Sequence, residues 1–146
     1  MYERMLLPVD GSEVSNHAAE EGFKLAAILG SQATLLFVID MTITSLPGEE
    51  SGLANYEVVY NSFKEYGGKI LDTLVESGKK RGVSVRTAIA EGDVHDEIIK
   101  YADLKKVNLI VMGTHGRRGL NRLLLGSVAG SVTRRAHCPV LLIRPE

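Results

Sequence analysis

Short apolar runs alternate along the chain with longer stretches in which apolar residues recur every three or four positions. Five runs predict β-strands, at residues 4–9, 33–39, 83–90, 108–113 and 139–144. Four of these runs are almost continuously apolar, which is typical of parallel strands covered on both faces. The third run is interrupted by Ser84, Arg86 and Thr87, so we expect this strand at an edge of the sheet.

The stretches between the strands predict four helices. The first covers about 13–29, between an N-cap at Ser12 and a C-terminal stop at Gly30. Its apolar stripe is predicted at Val14, Ala18, Gly22, Leu25 and Leu29. The second helix covers about 55–81, and we expect a bend at the glycine pair 67–68.

The third helix is predicted to start at its N-cap, Asp93. Its apolar side carries Val94, Ile98 and Ala102. The fourth begins at Ser127, and Arg134 and Arg135 in its last turn suit the negative end of the helix dipole. Strands that alternate with helices in this way predict an α/β fold with a doubly wound parallel sheet and right-handed crossovers.

Composition narrows the classes of function. A chain of 146 residues with 45% apolar and 24% charged residues is long enough for one soluble globular domain, and we expect a single domain over 1–146. The formal net charge of −1, the 5% aromatic content and the absence of a basic stripe argue against nucleic acid and membrane partners. Cys138 is the only cysteine, and no segment reads as a signal peptide or membrane span, so we expect a cytoplasmic protein.

The stretch GTHGRRGLNRLLLGS, residues 113–127, combines glycines and arginines with no acidic residue. Gly113 and Gly116 follow the fourth strand, where glycine permits a sharp turn and a close approach of the backbone to a ligand. Gly126 and Ser127 open the fourth helix, whose free N–H groups and positive dipole end attract anions. Ser127 would either cap the helix or donate its hydroxyl to a phosphate.

Two interpretations of this stretch remain open: it binds a phosphate, or its glycines serve only the fold and its arginines are solvated. Glycines are common at strand ends and helix starts in any α/β fold, and loop arginines are usually solvated; the arginines concerned are Arg117, Arg118 and Arg122. Neither familiar phosphate motif is present, because no lysine follows Gly126 and the first strand is followed by DGSEVS rather than G-x-G-x-x-G.

A second feature lies at the end of the first strand, which Pro8 is expected to terminate. Ligands of open parallel sheets bind at the carboxyl ends of the strands, where the strand order reverses. If the first and fourth strands are neighbours, Asp10 and the glycine stretch flank one crevice. Asp10 would then bind a ribose hydroxyl or a magnesium ion, or, alternatively, cap the first helix together with Ser12.

Taken together, these residues resemble the universal stress protein family. Its nucleotide-binding members carry G-x2-G-x9-G-[S/T], and the fixed positions are matched by Gly113, Gly116, Gly126 and Ser127. The segments LLPVDGS, EGDVHDEIIKYA and HCPVLLIRP extend the resemblance over the whole chain. The resemblance implies one universal stress protein domain with a three-layer, five-stranded open parallel sheet of order 3-2-1-4-5, an adenine nucleotide alpha hydrolase-like, Rossmann-like fold.

The resemblance also implies a ligand, ATP, with magnesium or manganese held mainly by its phosphates and at most additionally by Asp10. The adenosine part would be lined by Pro8, Val9 and Asp10, with Val38 or Ile39. Ribose and phosphates would be contacted by Met112, Gly113, His115 and Gly116. The phosphate tail would be held by Gly126, Ser127 and Val128. Some ATP-binding relatives offer a hydroxyl at position 129, where this chain has Ala129, so the preference could shift toward ADP or AMP.

The resemblance further implies a homodimer that pairs the last strands, Val140 to Ile143. The expected function is that of an ATP-binding stress-response protein whose nucleotide occupancy acts as a signal. The alternative is a dimeric scaffold of the same fold that binds no nucleotide, although such members typically lose the glycines. No catalytic residue is predicted, so that any turnover would be at most a slow ATPase activity, and the scattered histidines indicate no zinc site.

Overall fold

The computed structural model describes residues 1–44, 53–116 and 124–146. The strands of this part of the chain are β1 (Arg4–Pro8), β2 (Gln32–Ile39), β3 (Ser84–Glu91), β4 (Leu109–Gly113) and β5 (Val140–Ile143). Its α-helices are α1 (Glu13–Leu29), α2 (Leu53–Lys80), α3 (Val94–Leu104) and α4 (Ser127–Arg135), and a short 3-10 turn covers Met41–Thr44. Each predicted strand is therefore present, with its ends displaced by at most one residue.

The five strands form one parallel sheet in the order β3-β2-β1-β4-β5, which confirms the predicted topology. β1 pairs with β4 through Met5 opposite Leu109 and Leu6 opposite Ile110. β2 and β3 lie on the β1 side of this pair and β5 lies on the β4 side, so the strand order reverses between β1 and β4. β3 lies at one end of the order and its residues alternate between partly buried and exposed, which confirms the expected edge strand.

Two apolar cores cover the two faces of the sheet. Leu7 and Leu35 point into the core beneath α1 and α2, whereas their neighbours Leu6 and Leu36 point into the core beneath α3 and α4. Successive side chains of a strand face opposite sides, so a strand buried on both faces needs apolar residues at every position. This explains the continuous apolar runs. Among the described residues, no helix is both long and apolar enough to cross a membrane.

The predicted helix ends are confirmed where a local hydrogen bond defines them. Ser12 caps α1 by accepting a hydrogen bond from the N–H of Ser15 at 3.2 Å. Asp93 caps α3 by accepting one from the N–H of Asp96 at 3.2 Å. Gly30 ends α1 with a φ of 68°, a left-handed conformation that favours glycine.

The buried side of α1 differs in part from the predicted stripe. Its buried residues are Ser15, Ala18, Ala19, Gly22, Phe23 and Ala26. The prediction is therefore confirmed at Ala18 and Gly22 but wrong at Leu29, which is 42% exposed. α1 approaches the sheet closely at Gly22, where Leu7 Cδ2 lies 2.5 Å from the place that a Cβ would take, and the large side chain on its buried side is Phe23.

The two adjacent glycines of α2 have different surroundings. A Cβ on Gly67 would lie 2.4 Å from Cδ1 of Phe37, a ring that is only 2% exposed and has no room to move. A Cβ on Gly68 would meet nothing within 4 Å. Gly67 thus lets α2 pack directly on a buried aromatic ring of β2, whereas the bend expected at this pair stays a prediction.

This contrast predicts opposite effects of the same substitution at neighbouring positions. Gly68→Ala should raise the free energy of unfolding by up to about 1 kcal/mol, because alanine favours the helix. Gly67→Ala should lower it by about 1–3 kcal/mol, because the new methyl group overpacks the core. Chemical denaturation of the two variants measures both effects, and equal shifts in the same direction would contradict the packing role of Gly67.

Candidate functional site

One cavity of about 590 Å³ lies at the carboxyl end of the sheet. Every residue of the predicted site lines it: Pro8, Val9, Asp10, Val38, Met112, Gly113, His115, Gly116, Gly126, Ser127 and Val128. Of the two candidates on β2, Val38 lines the cavity, whereas Ile39 is buried in the core beneath α1 and α2. The structure thus brings together residues that are separated by up to 120 positions in the chain, as the pairing of β1 with β4 requires.

The turn after β1 and the glycine stretch after β4 touch each other. A Cβ on Gly116 would lie 2.6 Å from Oδ2 of Asp10, so both flank one crevice. Oδ1 of Asp10 accepts a hydrogen bond from the N–H of Ser12 at 2.9 Å. Asp10 therefore holds the N-cap residue Ser12 at the start of α1, which is related to the capping role considered for it. Its other carboxylate oxygen faces the glycine stretch. Gly11 makes this turn possible with a φ of 85°.

The glycines of the motif are required by close contacts within the protein. The place of a Cβ on Gly113 lies 2.6 Å from Cγ1 of Val14, and that on Gly126 lies 2.8 Å from the carbonyl oxygen of Thr114. None of Gly113, Gly116 and Gly126 is among the glycines with a positive φ. The sharp turn and close ligand approach expected at Gly113 and Gly116 therefore need no left-handed backbone and stay predictions, whereas the space beside all three glycines is restricted.

The first turn of α4 has no side-chain cap. Gly126 is its N-cap, with no side-chain cap, and the N–H of Gly126 donates to the carbonyl of Thr114 at 2.8 Å. The first bond within the helix runs from the N–H of Gly130 to the carbonyl of Gly126 at 2.8 Å, so the N–H groups of residues 127–129 precede it. Ser127 is exposed, and its hydroxyl does not cap the helix. Of the two roles considered for Ser127, capping is excluded.

His115 lines the cavity but uses both ring nitrogens inside the protein. Nε2 contacts the carbonyl oxygen of Leu124, and Nδ1 lies 2.9 Å from Oγ1 of Thr114. A carbonyl only accepts, so Nε2 carries the proton and Nδ1 accepts from the threonine hydroxyl. The ring thereby holds Leu124 next to the end of β4. The expected contact of His115 with ribose or phosphate stays a prediction, and it requires the ring to release one of these partners.

The cavity also includes residues that the sequence did not assign to the site. Those with polar or aromatic side chains are Ser15, Asp40, Phe63, Asp93, His95, Ser131 and Arg134. The spacing of Ser127, Ser131 and Arg134, four and then three residues apart, was the available signal, because such residues share one helix face. Arg117, Arg118 and Arg122, the cations expected near the phosphates, lie outside the described residues, as do residues 45–52 of the loop at 40–55.

A group of possible metal ligands lies at the start of α3. Oxygen and nitrogen atoms of Asp93, His95 and Asp96 come within 4.8 Å of one another. Arg135 of α4 donates to Oδ1 of Asp96 at 2.6 Å, and this hydrogen bond holds the pKa of the Asp96 carboxyl below its usual value. His95 also contacts Asp93 and Asp96, at 3.1 and 3.3 Å. With the guanidinium among them, these groups form an ion-pair cluster that connects α3 to α4.

Comparison with known proteins agrees with the fold and shows the family. The Universal stress protein family, represented by a sequence model, matches residues 1–144. Universal stress protein MJ0531 of Methanocaldococcus jannaschii is 37% identical over 145 residues, which cover 99% of this chain and 83% of that protein. The solved structure of MJ0577 from the same organism has a TM-score of 0.86 at 27% identity, covering 100% of this chain and 98% of that one. A universal stress protein solved in complex with cAMP has a TM-score of 0.72 at 24% identity, covering 97% of both chains.

The contact of Gly126 with the end of β4 predicts a stability difference within α4. Gly126→Ala should lower the melting temperature by about 5 °C, because the added methyl group strikes backbone atoms of Thr114 and His115 that cannot rotate away. Gly130→Ala is the matched control, since its methyl group meets only the tip of a flexible side chain at 3.3 Å and alanine favours the helix. Thermal unfolding measures both, and an unchanged melting temperature in Gly126→Ala would refute the contact.

Proposed function

Because the chain belongs to the universal stress protein family, we propose that it binds ATP in the cavity at the carboxyl end of the sheet and that nucleotide occupancy acts as a signal in the cytoplasmic stress response. One observation carries the proposal. The residues of the nucleotide motif line a single cavity whose rim includes the open first turn of α4. An α-helix start with free N–H groups at the end of a parallel sheet is a favourable place for phosphate.

The lining of the cavity is apolar in one part and polar in another, and a nucleotide requires both, for its base and for its phosphates. Leu36, Val38, Ile98 and Met112 provide apolar walls for a planar base. Residues 127–129 would provide N–H groups for phosphate, and Ser127 would provide a hydroxyl. Hydrogen bonds to a charged group contribute about 1.5–3 kcal/mol each. A few of them together with burial of the base would reach about −8 kcal/mol, which corresponds to micromolar affinity.

The choice among adenine nucleotides is part of the proposal. The relative that holds cAMP is only 24% identical, so its ligand is not transferred and its likeness shows the fold alone. Ala129 lines the cavity, is 2% exposed and offers no hydroxyl to a phosphate. We therefore include ADP and AMP as ligands besides ATP.

Magnesium or manganese would be held mainly by the phosphates rather than by a site made only of protein ligands. Asp10 is the carboxylate beside Gly116, and one of its two oxygens already accepts the N–H of Ser12. A single carboxylate fits Mg²⁺, which keeps several waters and is usually held by one or two carboxylates together with substrate phosphates. Binding rather than turnover is proposed, because both ring nitrogens of His115 are held by Thr114 and Leu124 and are not free to act on a phosphate.

The proposal includes a homodimer through β5. This strand ends the sheet order, pairs only with β4 and exposes 41% of Leu141, so its outer edge is open to a second copy. Leu141→Lys should weaken dimerisation at least about tenfold, because a charge at an edge strand opposes pairing. Light scattering across a concentration series measures this. Leu104→Lys, at a more exposed apolar site on α3, is the control, and a dimer unaffected by Leu141→Lys would refute this interface.

The phosphate site is tested best at Ser127. A carboxylate at Gly126 would also strike the backbone of Thr114, whereas Ser127 is exposed. Ser127→Asp should leave the fold intact, since an acidic residue in the first turn stabilises a helix by about 0.3–1 kcal/mol. It should nevertheless weaken ATP binding at least about tenfold through repulsion of the phosphates.

Calorimetric titration with ATP and magnesium measures this effect, with the uncharged Ser127→Asn as the control that retains binding. Wild-type affinity in Ser127→Asp would refute the phosphate site. Failure of the wild-type protein to bind any adenine nucleotide would refute the proposed function and favour the scaffold alternative.

A further inference from the structure

A cation lines the nucleotide cavity at a place that the glycine motif does not include. Arg134 is the only lysine or arginine among the described residues around the cavity. It lies on α4, seven residues after Ser127, and Ser131 lies between them on the same face of the helix. The sequence placed Arg134 at the end of α4, as a partner of the helix dipole. Its side chain instead borders the cavity.

A gap at Gly130 makes this position possible. Nη1 of Arg134 lies 3.3 Å from the place that a Cβ on Gly130 would take, and Cδ2 of Leu125 lies 3.7 Å from the same place. Long side chains on a helix point back toward its N-terminus. The guanidinium therefore lies over the turn before its own, about one helical turn of 5.4 Å beyond the N-cap.

This arrangement collects positive charge that no carboxylate of the described residues compensates. The N-terminal end of α4 is the positive end of its dipole, where a cation is unfavourable. No carboxylate among the described residues forms an ion pair with Arg134, whereas the adjacent Arg135 pairs with Asp96 at 2.6 Å. An anionic ligand would provide the missing partner.

The carboxylates around the cavity are committed elsewhere. Oδ1 of Asp10 accepts the N–H of Ser12, and Oδ1 of Asp40 accepts the N–H of Thr42 at 3.0 Å. Oδ1 of Asp93 accepts the N–H at the start of α3. Each carboxylate thus closes its own turn after a strand, and none neutralises the guanidinium.

Ser131 is an independent sign of a ligand on this face of α4. It is only 9% exposed, it lines the cavity, and its hydroxyl forms no hydrogen bond with the described residues. Its oxygen is not among the fully buried unpaired side-chain atoms of the described residues, so it reaches the cavity and can bind a polar ligand atom.

We propose that Arg134 and Ser131 form a second phosphate subsite, which binds the phosphates of ATP or ADP beyond the one held by the first turn of α4. The proposal rests on the function proposed above and deepens it. A guanidinium offers two parallel N–H donors that match two phosphate oxygens. The face of α4 from Ser127 to Arg134 then distinguishes nucleotides by the number of their phosphates. Gly130 has no side chain and so leaves space for the guanidinium of Arg134.

Titration calorimetry with ATP, ADP, AMP and adenosine tests the subsite. Arg134→Gln should weaken ATP binding about tenfold, the typical effect of losing one charged hydrogen-bonding partner, and leave adenosine binding unchanged. Arg135→Gln is the matched control, because it removes the same charge from the next residue, which does not line the cavity; ATP affinity should stay at the wild-type value.

A second variant keeps Arg134 but prevents its guanidinium from binding a phosphate. Gly130→Glu places a carboxylate four residues before Arg134, in ion-pair distance on the helix, and fills the gap over which the guanidinium lies. It should reproduce the selective loss of ATP affinity, with adenosine again unaffected. Thermal unfolding of each variant confirms that the fold is retained.

The outcomes distinguish failure of the phosphate subsite from failure of the proposed nucleotide binding. Unchanged ATP affinity in Arg134→Gln, or an equal loss for ATP and adenosine, would overturn the subsite while nucleotide binding by the wild-type protein stands. A wild-type protein that binds adenosine and ATP equally would overturn it as well. A wild-type protein that binds none of the four ligands would overturn both proposals.

Discussion

The pairing of β1 with β4 is the contact on which the rest of this structure depends. It places Met5 opposite Leu109 and lets the sheet grow outward in both directions. The carboxyl ends of two strands that are far apart in the chain therefore meet, and Asp10 comes to lie against Gly116. Without this pairing there would be no shared crevice and no common place for the residues of the motif.

The glycines of the motif have a structural explanation that does not involve a ligand. Gly113 gives room to Val14 of α1, and Gly126 gives room to the backbone of Thr114. Retention of the glycines is therefore weaker support for nucleotide binding than the motif alone implies, because a scaffold with the same contacts would need them too. Stronger support comes from the consequence of these contacts, a helix start with open N–H groups and an exposed Ser127 beside an apolar cavity.

Two neighbouring arginines show how tertiary contacts separate residues that look alike in sequence. Arg135 turns toward α3 and joins the cluster of Asp96 and His95. Arg134 turns back over Gly130 toward the cavity. The first connects two helices, and the second is an exposed charge that forms no ion pair with the described residues. A helix of nine residues thus presents one arginine to a neighbouring helix and the other to the cavity.

The sequence by itself determined the order and type of the elements, the caps at Ser12 and Asp93, and the edge position of β3. These features depend on the periodicity of apolar residues and on hydrogen bonds that span three or four residues, so they are local. Only the tertiary structure decided that Ser127 leaves its helix uncapped, that His115 is held by Leu124, and that Arg134 lines the cavity. Each of these depends on side-chain directions and on the space between separate elements, which no local pattern of residues encodes.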